Sequence, residues 1–172
     1  SSETAKSDFM QRVAMQEKEE RVESDYLNLH EFDHKGRSFL YYTTSGDYIK
    51  KCVETHSNQS TFTSHRDKNG DSALLYHAKK ARWDVINTLQ QLPGVTLDDE
   101  NRLGSSILHQ LARSHVKTPV PDNSFPEEKR IILNQILGQH DKLLSSADIC
   151  QQTALHVAAL SGNQAMVQFM CE

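Results

Sequence analysis

The stretch Gln152-Thr-Ala-Leu-His-Val-Ala-Ala-Leu-Ser-Gly-Asn163 decides the fold. Thr153 stands where a helix needs an N-cap, because its hydroxyl can accept from backbone N–H groups that lack intrahelical partners. Ala154, Leu155, Ala158 and Ala159 then recur at helical spacing on one narrow face. Small residues on that face let a neighbouring helix come close. Gly162 follows where a short helix ends and the chain reverses. Asp148, upstream of the threonine, suits a tight turn before the helix.

The same order recurs upstream. Asp67-Lys-Asn-Gly70-Asp-Ser72-Ala-Leu74-Leu-Tyr-His77-Ala78 is a clear copy, and Asn101-Arg-Leu-Gly104-Ser-Ser106-Ile-Leu108-His109-Gln-Leu111-Ala112 is another. Asp33-His-Lys-Gly36-Arg-Ser38-Phe-Leu40-Tyr-Tyr-Thr43-Thr44-Ser-Gly46 is a degenerate one, with Tyr41 at the His position and one residue missing before Gly46. Leu40, Leu74 and Leu108 lie 34 residues apart, and Leu155 lies 47 beyond Leu108. Each copy leads into a second apolar face: Ile49, Cys52 and Val53; Val85, Ile86 and Leu89; Ile132, Leu133, Ile136 and Leu137. The longer last step needs an insertion, and the Pro-bearing run 116–126 supplies it. Ser124 and Glu127 have capping-box spacing, Pro126 suits a first turn, and Gly138 suits a stop.

This pattern resembles the ankyrin repeat, which runs Asp, Gly, Thr-Pro-Leu-His, Ala-Ala, Gly with a period of about 33 residues. The Pro position here holds Phe39, Ala73, Ile107 or Ala154. The resemblance implies an all-α solenoid of four helix-turn-helix repeats over 31–172, at about 33–66, 67–100, 101–147 and 148–172. No unit can bury its apolar surface alone, so the units must stack. Gly104 to Ala112, a longer gap, then Gln151 to Ala158 is similar more narrowly to the first two repeats of inhibitor-of-NF-kappaB-type ankyrin domains. Val167-Gln-Phe-Met-Cys-Glu172 stops inside an apolar helical pattern, so the expectation is that more polypeptide follows.

Residues 1–30 form a separate helical segment, capped by Ser7 or Asp8 and running through Phe9, Met10 and Val13 to Tyr26 and Leu27. Its charge-mixed middle, Gln16–Glu23, reads as a solvated face that packs only at its ends. The whole chain of 172 residues carries a net charge of −4, which gives no bulk reason to expect nucleic acid or a membrane surface. No apolar run reaches membrane-span length and no signal-peptide pattern is present. Three distant cysteines form neither a disulfide framework nor a zinc ribbon, which points to an intracellular setting, cytoplasmic or nuclear.

His30-Glu-Phe-Asp-His34 matches H-E-x-x-H, a zinc-hydrolase motif that needs both imidazoles on one helical face. It overlaps the Asp33–Gly36 turn, so the expectation is no metal, no cofactor and no catalytic residue. His109 and His156 read as structural bridges between repeats, and His77 as a partly buried, hydrogen-bonded side chain.

In ankyrin arrays partners lie across turn tips and exposed first-helix positions. The resemblance therefore selects His34, Lys35, Arg37 and Tyr42; Lys68, Asn69, Asp71, Tyr76, Lys79 and Lys80; Arg102, Leu103, Ser105, Gln110 and Arg113; and Ile149, Gln152, Leu160 and Ser161. Trp83 is a further candidate contact. The expected function is binding of another protein, through an acidic or mixed segment, by a monomer with no small-molecule substrate. Other readings are a substrate-docking part of a larger enzyme, a pathogen effector and a binder of a Rel-type transcription factor.

Overall fold

The computed structural model describes residues 2–21, 31–55, 63–114 and 126–172, with side chains of the first helix from Phe9 onward. The described residues form nine α-helices and no strand. They are α1 (Ser2–Lys18), α2 (Phe39–Tyr42), α3 (Gly46–Thr55), α4 (Ala73–Lys79), α5 (Trp83–Leu89), α6 (Ile107–Arg113), α7 (Glu127–Gln139), α8 (Ala154–Ser161) and α9 (Gln164–Cys171).

A turn of one design precedes each of α2, α4, α6 and α8. Its first side chain accepts from the backbone N–H groups two and four residues on. Asp33 Oδ1 takes Lys35 and Arg37, and Asp67 Oδ1 takes Asn69 and Asp71, all at 2.9 Å. Asn101 Oδ1 takes Leu103 and Ser105 at 2.9 and 3.0 Å, and Asp148 Oδ1 takes Cys150 and Gln152 at the same distances. One acceptor oxygen is enough, so Asn serves as well as Asp. The third residue after it has positive φ: Gly36, Gly70 and Gly104 in the first three turns, Gln151 (φ 61°) in the fourth. After the turn, Ser72 Oγ accepts from Leu75 N and Thr153 caps α8.

Backbone bonds join each turn to the next. Lys68 N donates to Lys35 O at 2.9 Å, Arg102 N to Asn69 O at 3.3 Å, and Ile149 N to Leu103 O at 3.0 Å. The helices stack in the same order, α2 on α4, α4 on α6 and α6 on α8, with α3 against α5 behind. A side-chain bridge repeats as well. His109 Nδ1 accepts from Ser106 N, so its proton sits on Nε2, which donates to Gln152 O at 2.8 Å. Tyr41, at the same position of the first turn-helix segment, donates from its hydroxyl to Asp71 O at 2.7 Å. Leu40, Leu74 and Leu108 are fully buried between successive helices, whereas Leu155 is 37% exposed and His156 is exposed. Leu155 and Ala159 therefore do not share the buried face of α8, which consists of Ala154, Val157 and Ala158.

Helix α1 departs from the sequence expectation. It spans Ser2–Lys18 and stops where Glu20 takes φ 52° and Arg21 N donates back to Gln16 O. Tyr26 and Leu27 lie outside the described residues. Its charged middle also does structural duty: Glu17 accepts from Thr44 N (2.8 Å) and Ser45 N (2.6 Å), just ahead of α3. Phe9 and Val13 are buried, so α1 caps the first segment of the stack. Helix α7 begins after Pro126 and runs through Gly138. Ser124 and nearly all of the 116–126 run lie outside the described residues. Contacts tie α7 between its neighbours: Gln90 Nε2 to Gln135 Oε1 at 3.0 Å on one side, Arg130 to Glu172 on the other.

Two substitutions test the turn. A Cβ at Gly70 would stand 2.9 Å from Arg102 Cγ and 3.0 Å from Arg102 N, on a backbone with φ +78°. Gly70→Ala is expected to destabilise by roughly 1–3 kcal/mol, as for other residues forced into this region. Gln151→Gly is expected to stabilise by about 0.5–1 kcal/mol, since it removes the same strain. Urea midpoints at constant m-value read both effects, and equal midpoints for the two variants would refute the account.

Candidate protein-interaction surface

Several turn acids face inward, and the bases directly after a turn acceptor face outward. Asp67, Asp71 and Asp148 are buried, whereas Lys68 and Arg102 are exposed. The hydrogen bonds explain this: an acceptor that closes its own turn must point at backbone, and the residue beside it then points away.

The predicted site residues fall into two groups. Arg37, Tyr42, Asp71 and Gln110, expected at the surface, are instead buried with Ser105 in a polar network. Arg37 Nε donates to Asp67 Oδ2 at 2.9 Å, and its guanidinium lies 4.5 Å from the Tyr76 ring centroid. Tyr42 donates to the Asp33 carboxylate, and the Phe9 ring meets it edge-on at 5.8 Å. Asp71 Oδ1 accepts from Asn101 Nδ2 at 3.0 Å and Gln110 Nε2 at 3.4 Å. Arg113, half-buried, extends the network to Ser105 Oγ (2.6 Å), Gln110 Oε1 (3.2 Å) and Asp148 Oδ2 (3.3 Å). These side chains hold neighbouring segments together.

The second group is open to solvent. His34, Lys68, Asn69, Lys79, Lys80, Arg102, Leu103, Ile149 and Leu160 are exposed, and Lys35, Tyr76, Gln152 and Ser161 are half-buried. Tyr76 links the two groups: Arg37 lies on it from within and Lys80 Nζ sits 5.2 Å from its centroid. Trp83 is half-buried with Lys129 Nζ 5.6 Å away, so it joins α5 to α7. The sequence does carry a signal for part of the buried group. Arg37, Asp71 and Ser105 all stand four residues after the turn acceptor, where the backbone N–H is bound and the side chain is drawn inward.

Electrostatics follow burial. Burial raises the Asp71 carboxyl, partly offset by Asn101. Burial acts to raise Asp148 too, but the N–H groups of Gln152 and Cys150 outweigh it and hold this carboxyl below the usual range. His77 is fully buried, with Nε2 2.6 Å from Leu40 O and Nδ1 3.4 Å from Arg82 Nη1. Burial pushes its pKa down to about 4.

The H-E-x-x-H string lacks its helix. Residues 31–33 are irregular, His34 is in the turn and Glu31 is bound to Arg12 at 2.6 Å. His30 lies outside the described residues.

No family model matches the chain. Over 143 residues it is 26% identical to a protein of Acanthamoeba polyphaga mimivirus provisionally named ankyrin repeat protein L271. The match covers 78% of this chain and 19% of that protein, so the chain spans under a fifth of the relative's length. The likeness supports an ankyrin-like family for this chain. Among the described residues no helix is long and apolar enough to cross a membrane.

Removing Arg37 would leave Asp67 charged and buried. Arg37→Ala is therefore expected to lose roughly 3–5 kcal/mol, the usual penalty for breaking a buried pair. Lys68→Ala should stay within about 0.5 kcal/mol, as exposed substitutions do. Chemical denaturation distinguishes them, and similar losses would show that Arg37 is not the clamp described.

His77 sets an acid limit. Its pKa is lowered by folding, so its contribution is complete above the unfolded value near 6.5 and is lost as pH falls towards about 4. The full loss is on the order of 3 kcal/mol for such a shift. Between pH 6.5 and 4.5 the parent should lose more stability than His77→Gln. Parallel stability profiles for the two would exclude His77 as the cause.

Proposed function

We propose that this chain is a protein-interaction module, an ankyrin-type stack of four repeats, which grips an acidic or mixed segment of a partner protein. The face is formed by the turn tips and the exposed side of the first helices. Lys35, Lys68, Asn69, Tyr76, Lys79, Lys80, Arg102 and Leu103 contribute directly, while Arg37, Tyr42, Asp71, Gln110 and Arg113 hold that face in shape from below. One observation carries the reading: Lys68 and Arg102 are exposed at the turn tips while the turn acids Asp67, Asp71 and Asp148 are buried, which makes this edge cationic in a chain of net charge −4. Tyr76 among cations suits an interface anchor, because aromatic and Arg side chains are enriched in such sites. The ankyrin-like relative supports a binding domain.

The test is a Lys79→Glu/Lys80→Glu variant. A partner recovered by affinity purification with the parent chain is titrated against both proteins at low and high salt. The variant should bind at least about tenfold more weakly at low salt, with a flatter salt dependence. Affinity and slope equal to those of the parent would place the partner elsewhere.

A further inference from the structure

The backbone ladder places successive turn tips side by side, so residues at equivalent positions form rows along the edge. The residue after each turn acceptor is His34, Lys68, Arg102 and then Ile149; the next is Lys35, Asn69, Leu103 and then Cys150. Read along the stack, the edge is cationic over the first three turns and becomes apolar at the third and fourth. Leu103 is 55% exposed and Ile149 63% exposed, and Ile149 N is bonded to Leu103 O at 3.0 Å, so the two apolar residues flank a single step of the ladder. An apolar pair is not needed to build the turn, since Asn69 and Arg102 fill the same positions one step earlier. Its exposure is therefore available for contact.

The charge pattern fits one kind of occupant. Lys68 and Arg102 pair with no carboxylate among the described residues, and the turn acids Asp67, Asp71 and Asp148 are buried and engaged by backbone, Arg37, Asn101 and Arg113. Exposed acids lie on the second helices, at Asp47, Asp84, Glu127 and Glu128, and at Asp98 and Glu100 ahead of the third turn. An anionic strand on the tips would meet Lys68 and Arg102, the exposed bases next to their turn acceptors.

Resting on the binding face proposed above, we infer that the turn tips form a two-part site for an acidic protein segment whose one end carries an apolar residue. Its carboxylates run along Lys35, Lys68 and Arg102, and its apolar residue packs on Leu103 and Ile149. The apolar end fixes the direction of the segment along the stack. A net charge of −4 also favours protein over nucleic acid, because it gives no bulk attraction for a polyanion.

The experiment is selection from a random peptide library displayed against the full chain, followed by anisotropy titration of the winning peptide, synthesised with a fluorescent label. The expected winner joins a run of Asp or Glu to an apolar residue. Lys68→Glu/Arg102→Glu should weaken it at least about tenfold and flatten its salt dependence, whereas Leu103→Ser/Ile149→Ser should weaken it about tenfold and leave that dependence unchanged. All four side chains are exposed, and an unchanged urea midpoint verifies that each variant is folded. Winners that lack the acidic-apolar pattern, or that ignore the Leu103/Ile149 change, overturn the two-part site. Winners sensitive to Lys79→Glu/Lys80→Glu alone overturn it while the broader binding face stands. Tighter binding of labelled oligodeoxythymidylate than of any peptide overturns the choice of a protein segment. Failure to select any peptide, with a purified partner indifferent to all three variants, removes the binding face itself.

Discussion

Each turn of this molecule depends on one side-chain oxygen accepting two backbone N–H groups. Asp33, Asp67, Asn101 and Asp148 supply it, at 2.9–3.0 Å in every case. With the turn closed, its backbone carbonyl and N–H point along the stack and bond the turns on either side. Stacking of α2, α4, α6 and α8 follows, because each helix starts from a turn already in register. The apolar faces then bury one another, which no single segment could do alone.

The same constraint sorts charge. Asp67 and Asp148, committed to backbone, are buried, and the second oxygen of each becomes a hook: Asp67 holds Arg37, and Asp148 holds Arg113. The bases next to the acceptors face solvent. Segregation of sign thus comes from turn geometry and needs no excess of Lys or Arg in the chain. Interchangeable chemistry at the His position makes a related point. Tyr41 and His109 differ in shape and in charge potential, yet each carries one donor to the carbonyl at the end of the next turn.

Much of the candidate face is legible in the sequence. The recurrence of Leu40, Leu74 and Leu108 places the helices, and the turn pattern places Lys68, Arg102 and Leu103 at exposed tips. Arg37, Tyr42, Asp71 and Gln110 break the expectation because polarity alone does not imply exposure. Arg37 pairs with Asp67, Asp71 with Asn101 and Gln110 with Asp71, all on other turns, so no local pattern announces those pairings; Tyr42 pairs with Asp33 within its own segment. Helix α1 is legible as a helix but not as a cap, since the contact of Glu17 with Thr44 and Ser45 joins segments 27 and 28 residues apart.

Spacing along one chain records which residues recur, and recurrence is enough to set helices, turns and the faces they must bury. It determined by itself the periodic turn-helix pattern and the inward residues Ile49, Val85, Ile86, Leu89 and Leu133. Only the tertiary structure decided which polar residues are clamps and which stand at the surface. The reason is physical: burial of a charged or polar side chain is tolerated where a complementary group comes from a neighbouring segment, and that group is positioned by stacking rather than by sequence order.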